Sequence, residues 1–287
     1  MKTIAITGSG GFVGTNIKNF FSKKDFEIIS IRREDIKNSS KLKEIINKAD
    51  IVINLAGANI INRWTDSYKK ELYSSRIDTT SALVQAMASV ENKPKLFIST
   101  SAVGIYSNKD CYDEESFEYA NDFLAKLCQD WEKEAFKAKE YEIRTAIFRF
   151  GIVLGKGGAL KKMLLPFKLG VGGTIGDGNQ HFSFIHIEDL LNAYKFLIEN
   201  IDLNGVFNLT APTPTTNKGL TQALGKALNR PTIFPVPEFV LNMIFSEGAK
   251  VLTDGQCVKP KRLVDGGFIF KHTTIENSIN SLIKENE

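Results

Sequence analysis

Residues 3–24 read TIAITGSGGFVGTNIKNFFSKK. The run TIAIT, residues 3–7, is short, apolar and β-branched, the pattern of a buried strand. GSGGFVG follows at 8–14, and Phe12, Val13, Ile17, Phe20 and Phe21 then recur at helical spacing. The order strand, glycine-rich turn, helix is the context in which Gly8, Gly11 and Gly14 gain meaning. The first glycine permits a tight turn, the second lets backbone approach a pyrophosphate, and the third lets helix and strand pack closely. The helix N-terminus then offers free N–H groups to the anion. Gly8, Ser9, Gly11, Phe12, Val13 and Gly14 are therefore expected to bind a dinucleotide. Any tight strand-to-helix turn can use glycine, so the flanking elements carry the argument.

The next strand is FEIISI, residues 26–31. A site that prefers NAD usually has Asp or Glu at this strand's end, to hold the ribose 2′-OH. Here Arg32 and Arg33 follow, which suits a 2′-phosphate and points to NADP(H); two solvated arginines on a loop are the alternative. DIVINL, 50–55, is another buried strand, and Leu55, Ala56 and Gly57 place backbone where it can lie against the cofactor. Residues 76–90 read as a helix, KLFIST (95–100) as a strand, 122–139 as a long helix and IRTAIFR (143–149) as a strand. This alternation predicts an α/β fold, a doubly wound parallel sheet of Rossmann type. Functional residues should gather at the carboxyl ends of its strands, which adds Ser99, Ser101 and Arg149.

The second half changes character. Nine glycines fall between Gly151 and Gly178, and six of eight prolines follow residue 210. The expected organisation is a cofactor domain over 1–150, with 182–210 returning to it. Segments 151–181 and 211–287 form a smaller, discontinuous α+β domain on the substrate side. There the run 259–270, KPKRLVDGGFIF, suggests a turn and a strand, and HTTIENSINSLIK a terminal helix.

With 287 residues, 43% apolar and 24% charged, the composition is that of an ordinary globular chain. A net charge of +4 spread along the sequence makes nucleic acid a poor partner. No run approaches the ~18 apolar residues of a membrane span. The N-terminus does not read as a signal peptide. Cys111, Cys128 and Cys257 are too few and too scattered for a disulfide framework or a closed zinc site. A reducing, cytoplasmic setting is expected, with no metal and no membrane partner.

The motifs GSGGFVG, NLAG (54–57), STSAVGIY (99–106), FRFGIVLG (148–155) and FIHIEDL, in this order, resemble the extended short-chain dehydrogenase/reductase, or NAD-dependent epimerase/dehydratase, family. NLAGANIINRW (54–64), SRIDTT (75–80), DFLAKLCQDWE (122–132) and the 230–270 tail resemble its atypical subgroup of epimerase-like proteins with a small C-terminal domain of unknown function. The resemblance spans essentially the whole chain. It implies NADP(H) binding and an oxidoreductase or epimerase ancestry, without naming a substrate.

The family's usual catalytic set is Ser or Thr, then Tyr, with Lys four residues after the Tyr. No tyrosine here has lysine four residues on. Aligning the long helix on Glu132 puts Leu124 at the tyrosine position and Cys128 at the lysine position. Ser101 matches the Ser/Thr position and is the one catalytic candidate left; a lone hydroxyl can orient a carbonyl but cannot shuttle protons. Asp122 and Lys126 read as a surface pair, and His186 as a structural histidine. Asn62, Arg63 and Trp64, with Ser75 and Arg76, are candidates for ligand contact, as are Tyr106 and Gln180. Arginine can clamp an oxyanion and tryptophan can stack on a ring. Two functions compete: an NADP(H)-dependent oxidoreductase or epimerase acting on a small polar substrate, and a non-catalytic NADP(H)-binding sensor or partner-binding module.

Overall fold

The computed structural model describes residues 1–284. Its strands are β1 (Lys2–Thr7), β2 (Phe26–Ile31), β3 (Ile51–Asn54), β4 (Leu96–Ala102), β5 (Cys111–Tyr112), β6 (Arg144–Phe150), β7 (Ile152–Leu154), β8 (Phe184–His186), β9 (Gly205–Leu209) and β10 (Cys257–Val258). Its α-helices are α1 (Phe12–Ser22), α2 (Arg33–Lys37), α3 (Ser39–Ile46), α4 (Asp66–Ser89), α5 (Phe123–Phe136), α6 (Gly158–Lys168), α7 (Ile187–Glu199), α8 (Asn217–Leu228), α9 (Glu238–Phe245), α10 (Lys250–Thr253), α11 (Lys261–Asp265) and α12 (Ile275–Lys284).

Six strands form one sheet in the order β2-β1-β3-β4-β6-β9, and every neighbouring pair is parallel. The strands are apolar because both faces are covered. On one face Ile17 and Phe21 of α1 meet Leu190, Tyr194 and Leu197 of α7. On the other lie Leu42 and Ile46 of α3, Leu83 and Met87 of α4, and Ala135 of α5. Each large apolar side chain so buried contributes about 1.5–3 kcal/mol. The chain winds one way from β1 to β2 and the other way to β3, which opens a crevice at the carboxyl ends of β1 and β3.

Within 182–210, β9 joins the sheet beside β6, whereas β8 pairs with β7 outside it. A smaller α+β body packs Leu160 and Phe167 of α6 against Leu220 and Leu224 of α8 and Ile279 and Leu282 of α12. It carries two short parallel pairs, β7 with β8 and β5 with β10. The final three residues of the 211–287 segment lie outside the described residues.

Three expectations need correction. α4 starts at Asp66 rather than near residue 76, because Thr65 caps it by accepting the Tyr68 N–H at 3.2 Å. Ser75 therefore stands within this helix, as Arg76 does. The run 259–270 gives the short helix α11, not a strand; Gly267 at φ +86° then turns the chain away. Finally, Cys111 and Cys257 form a disulfide across 146 residues. Their sequence separation hid the pairing, and the parallel register of β5 with β10 places them opposite each other. Among the described residues no helix is long and apolar enough to cross a membrane.

Candidate cofactor and active site

The carboxyl ends of β1, β3 and β4 open onto one cavity of about 510 Å³. Its first wall is the glycine turn. Gly8 has φ +65° and accepts the Gly11 N–H at 3.0 Å, closing the turn. Gly11 ends the turn as the N-cap of α1 with no side chain capping the helix, so the first N–H groups of α1 remain for an anion. A Cβ on Gly14 would stand 2.3 Å from the Gly8 carbonyl oxygen, which only glycine avoids. Gly8, Gly11, Phe12, Val13 and Gly14 all line the cavity, and Ser9 lies within the turn. This cradle of bare backbone fits the pyrophosphate of a nicotinamide dinucleotide, NAD or NADP.

The second wall is Leu55, Ala56 and Gly57, beyond β3. Asn54, fully buried at the strand end, holds this stretch. Its Oδ1 accepts the Thr7 hydroxyl at 2.7 Å and its Nδ2 donates to Thr80 Oγ1 at 2.9 Å. Thr7 Oγ1 in turn accepts the backbone N–H groups of Leu55 (3.1 Å) and Ala56 (3.2 Å). Trp131 Nε1 also donates to Thr80, at 2.9 Å. A saturated buried network of this kind rigidifies the loop. Ser99 belongs to it at 3.4 Å from Asn54 Nδ2; it is wholly buried in the sheet and does not line the cavity.

Beyond β2, Arg32 and Arg33 are exposed and do not line the cavity. Arg32 precedes α2, and its guanidinium is held by one 3.4 Å contact with Glu34.

Ser101 lines the third wall, and its Oγ donates to Glu132 Oε1 at 2.6 Å. Glu132, on α5, takes two hydrogen bonds from Arg149, each 2.7 Å. Arg149 also donates to Tyr106 Oη at 2.6 Å, and Tyr106 donates to Asn208 at 2.8 Å. Two expectations fail here: Arg149 and Tyr106 are buried behind Ser101 and serve one another rather than cofactor or substrate. Burial works against the Arg149 charge, but the hydrogen bonds and charge of Glu132 outweigh it and hold the guanidinium above its ordinary pKa. Burial pushes the Tyr106 phenol up to about 12, against the opposing pull of Arg149. Neither group is poised to exchange a proton with a ligand near neutrality. Glu132, which orients Ser101, was visible in the sequence only as a landmark.

The positions of the missing pair line the cavity as Leu124 and Cys128. Leu124 fills space over Gly104, where a Cβ would meet its Cδ2 at 2.5 Å. Burial, helped by the charge of Glu132, pushes the Cys128 thiol up to about 12, so it stays neutral. Asp122 is not half of a surface pair; it caps α5 by accepting the Ala125 N–H at 2.8 Å, while Lys126 reaches Asp130 at 3.6 Å.

Of the substrate-side candidates, Trp64 and Gln180 line the cavity. Trp64 donates to the Ile60 carbonyl at 3.0 Å and meets the Phe123 ring edge-on at 5.4 Å. Asn62 is exposed, and its Oδ1 accepts the Arg63 N–H. Arg63 is tied to the Met243 carbonyl of α9 at 3.0 Å, away from the cavity. His186 has a structural role: its Nδ1 accepts the Glu188 N–H at 3.1 Å at the start of α7. It stacks on His272 at 3.6 Å, a pairing the sequence did not suggest.

Comparison with known proteins agrees with this geometry. Residues 4–210 match the model of the NAD dependent epimerase/dehydratase family, and residues 236–282 match a domain of unknown function, DUF1731. The epimerase family protein YfhF of Bacillus subtilis is 34% identical, with 98% of each chain covered. The chloroplastic homolog of epimerase family protein SDR39U1 from Arabidopsis thaliana is 35% identical over 98% of this chain and 87% of its own. The human epimerase family protein SDR39U1, solved with NADPH, superposes with a TM-score of 0.90 at 31% identity, covering 98% of this chain and 99% of that one. The cradle at the crevice, the sheet order and these matches over nearly the full length make the chain a member of the NAD dependent epimerase/dehydratase family with a small C-terminal DUF1731 domain.

Proposed function

We propose that the protein binds NADP(H) and uses it as an oxidoreductase on a small molecule held between the two bodies. The observation that carries this reading is the convergence, on one cavity, of a bare-backbone phosphate cradle and an oriented Ser101 hydroxyl. Gly8 to Gly14 would hold the pyrophosphate, Leu55 to Gly57 would lie along the cofactor, and Arg32, with Arg33 as a second donor, would take the 2′-phosphate. The NADPH in the human relative supports the choice of NADP(H). When bound, the nicotinamide supplies or accepts a hydride. Ser101, fixed by Glu132, would orient a substrate oxygen. With Leu124 and Cys128 inert, no side chain repeats the tyrosine–lysine proton relay, so proton exchange falls to water or to the substrate itself. Residues 1–150 and 182–210 form the cofactor side of this scheme, and 151–181 and 211–287 the substrate side.

The same inert pair favours a second reading, a non-catalytic NADP(H)-binding sensor. Purified protein incubated with NADPH and a panel of aldehydes and ketones separates the two. Consumption of NADPH that falls in Ser101→Ala, with NADPH affinity retained, supports the enzyme. Tight NADPH binding without turnover of any carbonyl supports the sensor. A cytoplasmic setting remains part of the proposal, and cell fractionation tests it; the Cys111–Cys257 bridge is the feature that pulls against it.

A further inference from the structure

Arg76 stands on α4 with its guanidinium directly under Gly57. A Cβ on that glycine would meet the guanidinium carbon at 2.9 Å. Nη1 donates to the Leu72 carbonyl and Nη2 to the Ala58 carbonyl, each at 3.0 Å. These two bonds use two of the five N–H groups that a guanidinium offers. Among the described residues no carboxylate pairs with Arg76. The guanidinium also faces the ring of Trp131, 5.3 Å from ring centroid to guanidinium carbon. Yet Arg76 lines the cavity, beside Cys128. Burial pulls its pKa below the ordinary value, the sign of a cation without a matching anion.

A buried charge is normally paired, and an unpaired one costs free energy until something compensates it. Arg149, buried behind the cavity wall, is paired with Glu132; Arg76, half-buried on the wall itself, is not. The phosphate turn follows β1, whereas Arg76 packs against Gly57 beyond the neighbouring strand β3 and against Trp131 of α5. Much of the remaining lining there is apolar, including Trp64, Phe123, Leu124 and Trp131.

We infer that Arg76 is the anion anchor of the substrate site, and that the substrate carries a carboxylate on an apolar body. This narrows the expected small polar substrate to an amphipathic one, and it rests on the cavity being the substrate site of the proposed function. The guanidinium replaces, from α4, the positive charge that α5 no longer supplies at Cys128. It positions substrate and transfers no proton.

Both tryptophans of the chain, Trp64 and Trp131, line the cavity, so intrinsic fluorescence reports occupancy. Wild-type protein, with and without saturating NADPH, is titrated with benzoate and octanoate, and with benzamide as the neutral match of benzoate. NADPH itself is titrated by the same signal, so failure of cofactor binding and failure of the anchor are read separately. A charge-assisted hydrogen bond is expected to make benzoate bind about tenfold to a hundredfold tighter than benzamide. Arg76→Gln should erase that preference and leave NADPH affinity within about twofold, and Arg76→Lys should restore part of it, because an ammonium keeps the charge but not the fork. Circular dichroism and thermal melting confirm that the variants fold. Equal binding of benzoate and benzamide overturns the inference. So does no saturable signal from either carboxylate up to its solubility limit, or a preference retained in Arg76→Gln. A large loss of NADPH affinity in Arg76→Gln would assign the guanidinium to the cofactor and overturn the substrate role.

Discussion

Replacing Gly14 by alanine adds one methyl group at the point where the phosphate turn is tightest. The new Cβ would lie 2.3 Å from the Gly8 carbonyl oxygen and 2.8 Å from Ser9 Cα. Both obstacles are backbone, so no rotamer change relieves them. Bringing the closer contact to a tolerable 3.0 Å requires the turn to retreat by ~0.7 Å. That displaces the Gly8 carbonyl, which accepts the Gly11 N–H and sets the turn that presents the α1 N-terminus. Overpacking of this kind costs about 1–3 kcal/mol. If the strain is released by opening the turn, the binding-competent geometry becomes a minor state, and affinity falls by roughly tenfold to a hundredfold. Calorimetric titration of wild type and Gly14→Ala with NADPH measures the loss, and far-ultraviolet circular dichroism checks that helix content is kept. Unchanged affinity in a folded variant would refute the assignment of this turn to the cofactor.

The other predictions follow from the same geometry. Arg32→Ala should weaken NADPH by about tenfold to a hundredfold, the worth of a charge-assisted hydrogen bond, and leave NADH nearly unchanged; equal losses for the two cofactors would show that Arg32 does not read the phosphate. Glu132→Gln leaves Arg149 buried without its counter-charge and should cost about 3–5 kcal/mol in denaturant unfolding; a loss below 1 kcal/mol would mean the pair is not the keystone of the wall behind Ser101. Cys128→Ala should keep whatever NADPH-linked turnover the wild type has, since the thiol is neutral; a hundredfold drop in a folded, NADPH-binding variant would restore a thiol mechanism. The Cys128 thiol is raised to about 12 in the fold, whereas it ionises near ~8.5 in the unfolded chain. Its contribution to stability is therefore full below that lower value and drains away as pH rises toward the higher one. Thermal melts across the alkaline range should show a shallower decline in Cys128→Ala than in wild type, and parallel declines would contradict the buried, proton-holding thiol.

How much of this was legible in the sequence depended on how local the signal was. The turn at Gly8–Gly14 declared itself because backbone geometry there requires glycine and the strand and helix are contiguous with it. The parallel sheet was equally plain, since strands buried on both faces must be apolar throughout. Arg149 and Tyr106 misled because a strand's carboxyl end and its inner face look alike in one dimension. Only the pairing of β6 with β4 and β9 reveals that Glu132 and Asn208 close over them. Arg63 misled for a similar reason, its partner carbonyl lying 180 residues away on α9. Arg76 was noticed beside Ser75, but its isolation from any carboxylate is a property of three-dimensional neighbours. The Cys111–Cys257 bridge has no sequence signature at all.

That bridge changes the connectivity of the molecule. Residues 111–257 become a covalent ring, and the rest of the chain becomes two tails. The central sheet is then stitched from both: β1 to β4 lie in the first tail, β6 and β9 in the ring, and the seam is the β4–β6 ladder. A peptide bond cut inside the ring, for example in the glycine-rich stretch 170–178, leaves every strand of the sheet attached to one covalent body. The same cut in reduced protein yields two separable pieces. Electrophoresis of nicked protein with and without reductant would display the ring directly. The fold therefore gains tolerance to cleavage in a segment that helps wall the cavity, where a long loop is otherwise most vulnerable.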